Sequence, residues 1–267
     1  MNIEHLLGSI GTEMGDEVVE ALLRHSRAKV TTALKRMRRP EAAVGVVTSS
    51  LGDLLVAMSS SGVALTHYVH DNRDIAATLA DLRLQFDPVE DQRTVKEVGK
   101  EVSRYVAGDA KALRQHVDLT LAGNAFQKKI LDGLQTVPRG AVVSYQALGA
   151  AVGAAKAARA VGNALHDNPV PIYIPCHRVI ASDGRLGGYV GGAARKLQLL
   201  RSEGFAVDSD TANMSGTTVW GHNGTKMYCK PDCRIAARGD RARLVFFASP
   251  EEARRAGMRA CKVCRPG

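Results

Sequence analysis

No apolar run in the 267-residue chain approaches the ~18 residues of a membrane span. The stretch from Met1 to Gly15 holds Glu4 and Glu13 and lacks the apolar centre of a secretory signal. These absences exclude a spanning segment and predict a soluble, intracellular protein. No internal repeat is present, which removes the repeat architectures. Cysteine is missing from residues 1–175, so any thiol chemistry is confined to the last third of the chain. What is present is an ordinary hydrophobic content of 45%, enough for a buried core and too much for global disorder.

Formal net charge is +9 and unevenly placed. From Gly216 to Gly267 there are 11 Lys and Arg against 4 Asp and Glu, a net +7, leaving +2 for residues 1–215. That asymmetry points to a C-terminal module facing a polyanion. A basic tail that is merely solvated is the alternative.

The five cysteines fall into two kinds. Cys229-Lys-Pro-Asp-Cys233 and Cys261-Lys-Val-Cys264 are close pairs separated by 27 residues. Such pairs suit a tetrahedral four-thiolate zinc site, with bonds of ~2.3 Å, better than they suit disulfides. In a module this short the apolar core is thin, so the metal would supply much of the folding energy. Cys176 stands alone beside His177. A Cys-His pair can be nucleophile and base, but by itself is more often structural.

Periodicity predicts an α+β protein. Residues 3–39 read as helix, with Val18, Val19, Leu22 and Leu23 at helical spacing and seven basic residues between Arg24 and Arg39. Ala43–Thr48, Leu54–Met58 and Val63–Val69 are short β-rich runs separated by Ser49–Asp53 and Ser59–Gly62, and read as an antiparallel three-stranded meander. Helices are expected at about Arg73–Leu84 and Asp91–Ala107, then a short strand at Val117–Leu121. Asn124 caps a helix to about Thr136, and Ser144 caps another carrying Tyr145, Leu148 and Val152. A third runs from about Ala154 to His166, making a helix-turn-helix pattern that alone is weak evidence of binding. Two prolines, Pro169 and Pro171, force an extended entry to a short apolar strand that delivers Pro175, Cys176 and His177. A Gly-rich stretch and a helix from Ala193 to about Glu203 follow. The expected domains are a helical basic extension (1–40), an α/β domain (41–121), a mainly helical domain with the helix-turn-helix (122–205), a linker (206–217) and a cysteine module (218–267).

The residues around Cys176 carry a resemblance. Ser144-Tyr-Gln-Ala-Leu148, Lys156-Ala-Ala-Arg-Ala-Val-Gly162, Asn168-Pro-Val-Pro171, Pro175-Cys-His-Arg-Val179 and Gly191–Glu203 occur in one order. Over about Glu41–Phe205 the chain resembles the O6-alkylguanine-DNA alkyltransferases, a family that repairs DNA by stoichiometric, irreversible transfer of an alkyl group to its own cysteine. The resemblance makes Cys176 the alkyl acceptor, His177 the residue that takes its proton through a water, and Glu203 the acid that orients His177. It makes Asn168 the support beneath the reactive segment and Tyr145 the donor to departing guanine. Arg159 becomes the finger that fills the stack once the base has flipped, and Tyr189 a wall of the base pocket. Gln146 and Ser182 fall at DNA contacts, and Arg178 is expected on the substrate or DNA side with them. The expected partner is double-stranded DNA carrying O6-alkylguanine, the state monomeric, and the compartment cytoplasmic at the DNA, or nuclear in a eukaryote.

Val219–Pro266 resembles the zinc-binding domain of the Ada proteins through Tyr228-Cys-Lys-Pro-Asp-Cys-Arg234, Phe246-Phe-Ala-Ser-Pro-Glu-Glu-Ala253 and Gly257–Pro266. The resemblance implies zinc on Cys229, Cys233, Cys261 and Cys264, with Cys229 at the position that accepts methyl from phosphotriesters. The order is unusual, since the Ada module normally comes first. The resemblance to the Ada proteins makes a methylation-switched DNA-binding regulator, as some of them are, the alternative function, and the absence of a separate transcriptional helix-turn-helix domain counts against it.

Overall fold

The computed structural model describes residues 39–205 except 155 and 183, and residues 219–266 except 231, 232, 234 and 236–242. The helix expected over 3–39 and the linker over 206–217 lie outside the described residues.

Strands β1 (Glu41–Ser49), β2 (Gly52–Ser59) and β3 (Gly62–Tyr68) form the antiparallel meander that the three β-rich runs predict. A fourth strand, β4 (Asp87–Glu90), pairs parallel to β1, giving the order β3-β2-β1-β4. The sheet is buried on both faces. Along β2, Leu54 and Val56 join one apolar cluster while Leu55 and Ala57 join another, as successive side chains point to opposite sides. Helix α1 (Asn72–Leu82) closes the second face with Leu82 and Ile75. Helix α2 (Gln92–Val106) closes the first with Val95, Val98, Val102 and Tyr105, at spacings of three and four residues that make one helical stripe. Asp71 and Asp91 cap these helices by accepting from the backbone N–H groups two and three residues on.

The strand expected at Val117–Leu121 is not formed; only a single bridge joins Val117 to Val63. Asp118 is the reason. Its carboxylate accepts from the N–H and hydroxyl of Thr120, folding the chain into a tight polar turn. The outer edge of β3 is nonetheless covered. Val63 N–H donates to His116, and Thr66 N–H to Pro169 in the reactive region.

Helix α3 (Ala125–Gln135) starts at Asn124, whose side chain accepts from Gln127 N–H. The two-residue strand β5 (Val143–Ser144) leads into α4 (Tyr145–Ala151), capped by Ser144 at Ala147 N–H. Helix α5 (Ala158–His166) starts four residues later than the Ala-rich run predicts. Ala has high helix propensity but no capping group, and Ala154 N–H is drawn back to Gly149 C=O at 2.6 Å, so the chain turns first. The short apolar strand expected to deliver Pro175, Cys176 and His177 is instead a turn closed by a single bridge between Pro171 and Ile174. A 3-10 turn, Cys176–Arg178, follows it, and β6 (Val179–Ile180) then runs beside β5. Helix α6 (Gly192–Ser202) ends at Glu203.

The C-terminal module is a second four-stranded sheet, order β10-β8-β7-β9, from β7 (Val219–His222), β8 (Met227–Cys229), β9 (Leu244–Phe247) and β10 (Arg259–Ala260). Helix α7 (Pro250–Arg255) begins at Ser249, which accepts from Glu252 N–H. Trp220 and Phe246 meet edge to face across β7 and β9. Among the described residues no helix is long and apolar enough to cross a membrane.

Candidate active site and metal centre

The reactive region is a buried thiol held by a short, tightly bonded loop. Residues 168–175 leave α5 through Pro169 and Pro171 and end at Pro175, and Ile172 sits at φ 79°, a conformation that a β-branched residue adopts only under surrounding constraint. The constraints are visible. Thr66 hydroxyl donates to Pro171 C=O at 2.7 Å, and Tyr173 hydroxyl to the buried Glu101 at 2.6 Å. Asn168, 5% exposed, accepts from Val170 N–H at 3.0 Å and donates to Ile174 C=O at 3.2 Å and to Cys176 Sγ at 3.3 Å.

Burial pushes the Cys176 thiol up to about 11, against the Asn168 hydrogen bond and the nearby Lys196 ammonium, which both favour thiolate. The thiol is therefore neutral at rest and needs a base. His177 Nε2 lies 2.6 Å from Glu203 Oε1, both side chains fully shielded from solvent, and His177 Nδ1 has no protein partner. Burial lowers the proton affinity of His177, which keeps the ring neutral, while Glu203 pulls it back up. Burial alone would raise the Glu203 carboxyl, but His177 and Arg178 outweigh it and hold Glu203 far below the usual carboxylate range.

A cavity of ≈ 100 Å³ opens at Cys176, walled by Tyr145 on α4, by Gly162, Leu165 and His166 on α5, and by Gly188–Val190. Both helices of the helix-turn-helix pair thus border the thiol. Gly187 lies at φ +69°, and a Cβ there would come to 3.0 Å of Tyr145 hydroxyl. Gly191 is tighter still, with a Cβ meeting the Tyr68 ring at 2.5 Å and the Tyr189 ring at 2.8 Å. Tyr189 stands edge-on to His177 and shares a 2.8 Å hydrogen bond with Tyr68 hydroxyl.

The structure therefore brings Cys176, His177, Glu203, Asn168, Tyr145 and Tyr189 together. Arg159 and Gln146 are exposed on the first turns of α5 and α4, and Ser182 is exposed in the loop after β6. Arg178 corrects the expectation of a DNA contact. It is 8% exposed, its guanidinium pairs with Glu203 at 3.0 Å and donates to Val137 C=O, and no face is left for a ligand. A buried carboxylate hydrogen-bonded to a neutral His177 still needs a cation, and Arg178 supplies it.

Residue-by-residue reading missed three groups. Tyr68 braces Tyr189, and Tyr105 hydroxyl donates to Glu203 Oε1 while accepting from Arg178 Nη2 at 2.9 Å. The fully buried Lys196 donates to the carbonyls of Val179 at 2.6 Å, Leu186 at 2.6 Å and Gly188 at 3.0 Å, tying the turn after Cys176 to the cavity wall. Burial lowers it to about 8. Its position was legible, since Leu199 and Leu200 at +3 and +4 put Lys196 on the inward face of α6.

In the C-terminal module β8 and β10 run parallel and in register, Met227 beside Arg259 and Tyr228 beside Ala260. This sets Cys229 level with Cys261, and Cys261 N–H donates to Tyr228 C=O at 2.9 Å. The sulfurs of Cys229, Cys233, Cys261 and Cys264 all lie within 4.8 Å of one another. Tetrahedral coordination at ~2.3 Å needs sulfurs of this closeness, and four soft thiolates suit zinc. The donor set fits a structural ion with no open position. Lys230 N–H donates to Cys264 Sγ at 3.3 Å, a bond that favours the thiolate form.

The class so defined is a helix-turn-helix domain built around a shielded thiol with a His–Glu pair behind it, followed by a four-cysteine module suited to zinc. Residues 125–205 match the family model of the 6-O-methylguanine DNA methyltransferase DNA binding domain, and residues 205–267 that of the metal binding domain of Ada. A methylated-DNA–protein-cysteine methyltransferase of Methanosarcina acetivorans is 31% identical over 159 residues, covering 60% of this chain and 96% of that protein. The chain belongs to the methylated-DNA–protein-cysteine methyltransferase family. The bifunctional transcriptional activator/DNA repair enzyme Ada of Escherichia coli is 36% identical over 154 residues, 57% of this chain but only 43% of that protein, so the chain spans less than half of it. The crystal structure of the O6-methylguanine methyltransferase of Mycobacterium tuberculosis superposes with TM-score 0.51 at 30% identity, covering 63% of this chain and 96% of that one.

Proposed function

We propose that the protein repairs double-stranded DNA by moving an alkyl group from O6 of guanine to Cys176, once per molecule. The observation that carries this reading is the Cys176 thiol, buried beside Asn168 and a 2.6 Å His177–Glu203 pair at the foot of a cavity bordered by α4 and α5. A base stacked in a duplex has no path to such a thiol, so the nucleotide is extruded at a cost of a few kcal/mol. Arg159, exposed at the start of α5, fills the gap left in the stack, and Gln146 and Ser182 contact the flanking backbone.

In the reaction the thiol proton goes to His177, by way of a water, and Glu203 stabilises the imidazolium. The Cys176 Sγ–carbon bond forms as the carbon–O6 bond breaks, and the electron pair leaves on guanine. Tyr145 hydroxyl, on the cavity wall, hydrogen-bonds the departing base. The product thioether has no hydrolytic route back, so the protein is spent. Zinc on the four C-terminal thiolates supplies folding energy to the module, and the module adds affinity for DNA phosphates through its excess of Lys and Arg. The reading places the protein where the DNA is, in the cytoplasm of a prokaryote or the nucleus of a eukaryote.

Incubation with duplex DNA holding one O6-methylguanine, followed by intact-mass and peptide mapping, should give one methyl on Cys176 and none on Cys176→Ala. Transfer by Cys176→Ala, or more than one turnover per molecule, refutes the proposal.

A further inference from the structure

Helix α2 belongs to the sheet unit, outside the matched DNA-binding domain, yet its last turn reaches the reactive site. Val95, Val98, Val102 and Tyr105 form one apolar stripe, and packing alone would be satisfied by phenylalanine at 105. Burying a hydroxyl there costs free energy unless it is bonded. Its partners are Glu203 Oε1, to which it donates, and Arg178 Nη2, from which it accepts at 2.9 Å.

We propose that Tyr105 is a positioning residue of the reactive site, whose hydroxyl shares Glu203 Oε1 with His177 and so sets how tightly His177 holds a proton. The inference rests on the reading above, in which His177 takes the Cys176 proton. Four donor atoms converge on Oε1: His177 Nε2 at 2.6 Å, Tyr105 hydroxyl, and Arg178 Nη2 at 3.1 Å and Nε at 3.2 Å. Oε2 takes Arg178 Nε at 3.0 Å and Gly140 N–H at 3.3 Å. Each donor withdraws charge from the carboxylate, and the imidazolium is stabilised by the charge that remains. The other groups facing this cluster are Arg139 over the Tyr105 ring at 5.3 Å, Lys196 and Cys176 near His177, and Tyr189 edge-on to it. Tyr105 differs from the cations in carrying no charge, so its hydroxyl can be removed without altering the ionic balance. Burial and Glu203 already pull the proton affinity of His177 in opposite directions. A neutral hydrogen bond is therefore enough to move the balance.

The test is the pH profile of single-turnover transfer from O6-methylguanine in duplex DNA, with His177 followed in parallel by imidazole NMR. Tyr105→Phe leaves Oε1 more fully to His177. The acid limb of the profile and the His177 titration should both move up by on the order of one pH unit, about tenfold in rate on the limb. Site-specific 3,5-difluorotyrosine at 105, a stronger donor of nearly the same shape, should move both downward. A role confined to packing would scale the rate equally at every pH. Superimposable acid limbs for wild type and Tyr105→Phe, with both proteins transferring methyl, overturn the inference. If Tyr105→Phe fails to fold, the difluorotyrosine protein decides, and an unmoved limb there overturns it equally. Failure of the wild type to transfer at all would instead strike the proposed activity, so the two failures are told apart.

Discussion

Replacing Asn168 by alanine separates the support of the reactive loop from the support of the thiolate. Three hydrogen bonds are lost, but they are not equal. Ile174 C=O keeps the N–H of Cys176 at 2.8 Å, whereas Val170 N–H has Asn168 as its partner and is buried. One stranded donor at ~1–3 kcal/mol, plus part of a shared bond, gives a loss of about 2–3 kcal/mol. For a protein of this size that corresponds to a fall in Tm of roughly 5–10 °C. The chemistry suffers separately. The Asn168 amide donates to Sγ at 3.3 Å and opposes the burial that pushes the thiol up to about 11. Losing a hydrogen bond to an ionised group, ~1.5–3 kcal/mol, raises the thiol by about one to two units and cuts the thiolate fraction roughly 10- to 100-fold at neutral pH. Thermal unfolding of zinc-loaded protein reads the first effect. Alkylation of Cys176 by iodoacetamide against pH, followed by peptide mass, reads the second. A Tm within about 2 °C of wild type would refute the loop argument, and an unchanged pH dependence of alkylation would refute the thiolate argument.

Arg159→Ala should slow repair of duplex DNA far more than reaction with free O6-benzylguanine, because only the duplex requires extrusion of a base; equal losses in single-turnover rates would remove Arg159 from that role. Glu203→Gln should cost roughly 3–5 kcal/mol near neutral pH by stranding Arg178. Because the Glu203 carboxyl is held below its ordinary range, the stability it contributes is full above about pH 4.5 and is lost as pH falls, so denaturant midpoints of mutant and wild type should converge in acid rather than in base. Deleting residues 206–267 should abolish zinc binding and flatten the dependence of log DNA affinity on log salt, while transfer to Cys176 survives; an unchanged salt slope would take DNA contact away from the module.

Several features were fixed by local chemistry and therefore readable from the chain alone. The β-rich run Leu54–Met58, the caps Asn124 and Ser144, and the spacing of the four C-terminal cysteines depend on neighbours a few residues away, and the structure has each in place. Cys176 with His177 was legible because the segments around it occur as near-contiguous motifs. Other features depend on contacts across the chain, which leave no local period. Strand β4 is too short to show an alternation, and β1 alone makes it a strand. Cys176 follows a pinned loop rather than a strand because Asn168, Thr66 and Glu101 hold the residues before it. Arg178 faces inward because Glu203, 25 residues on, offers a buried charge to neutralise, and nothing beside Arg178 announces that. Tyr105 and Tyr68 read as apolar core positions and are such by packing. Only folding brings their hydroxyls to Glu203 and Tyr189, 98 and 121 residues away, where a buried O–H must find a partner.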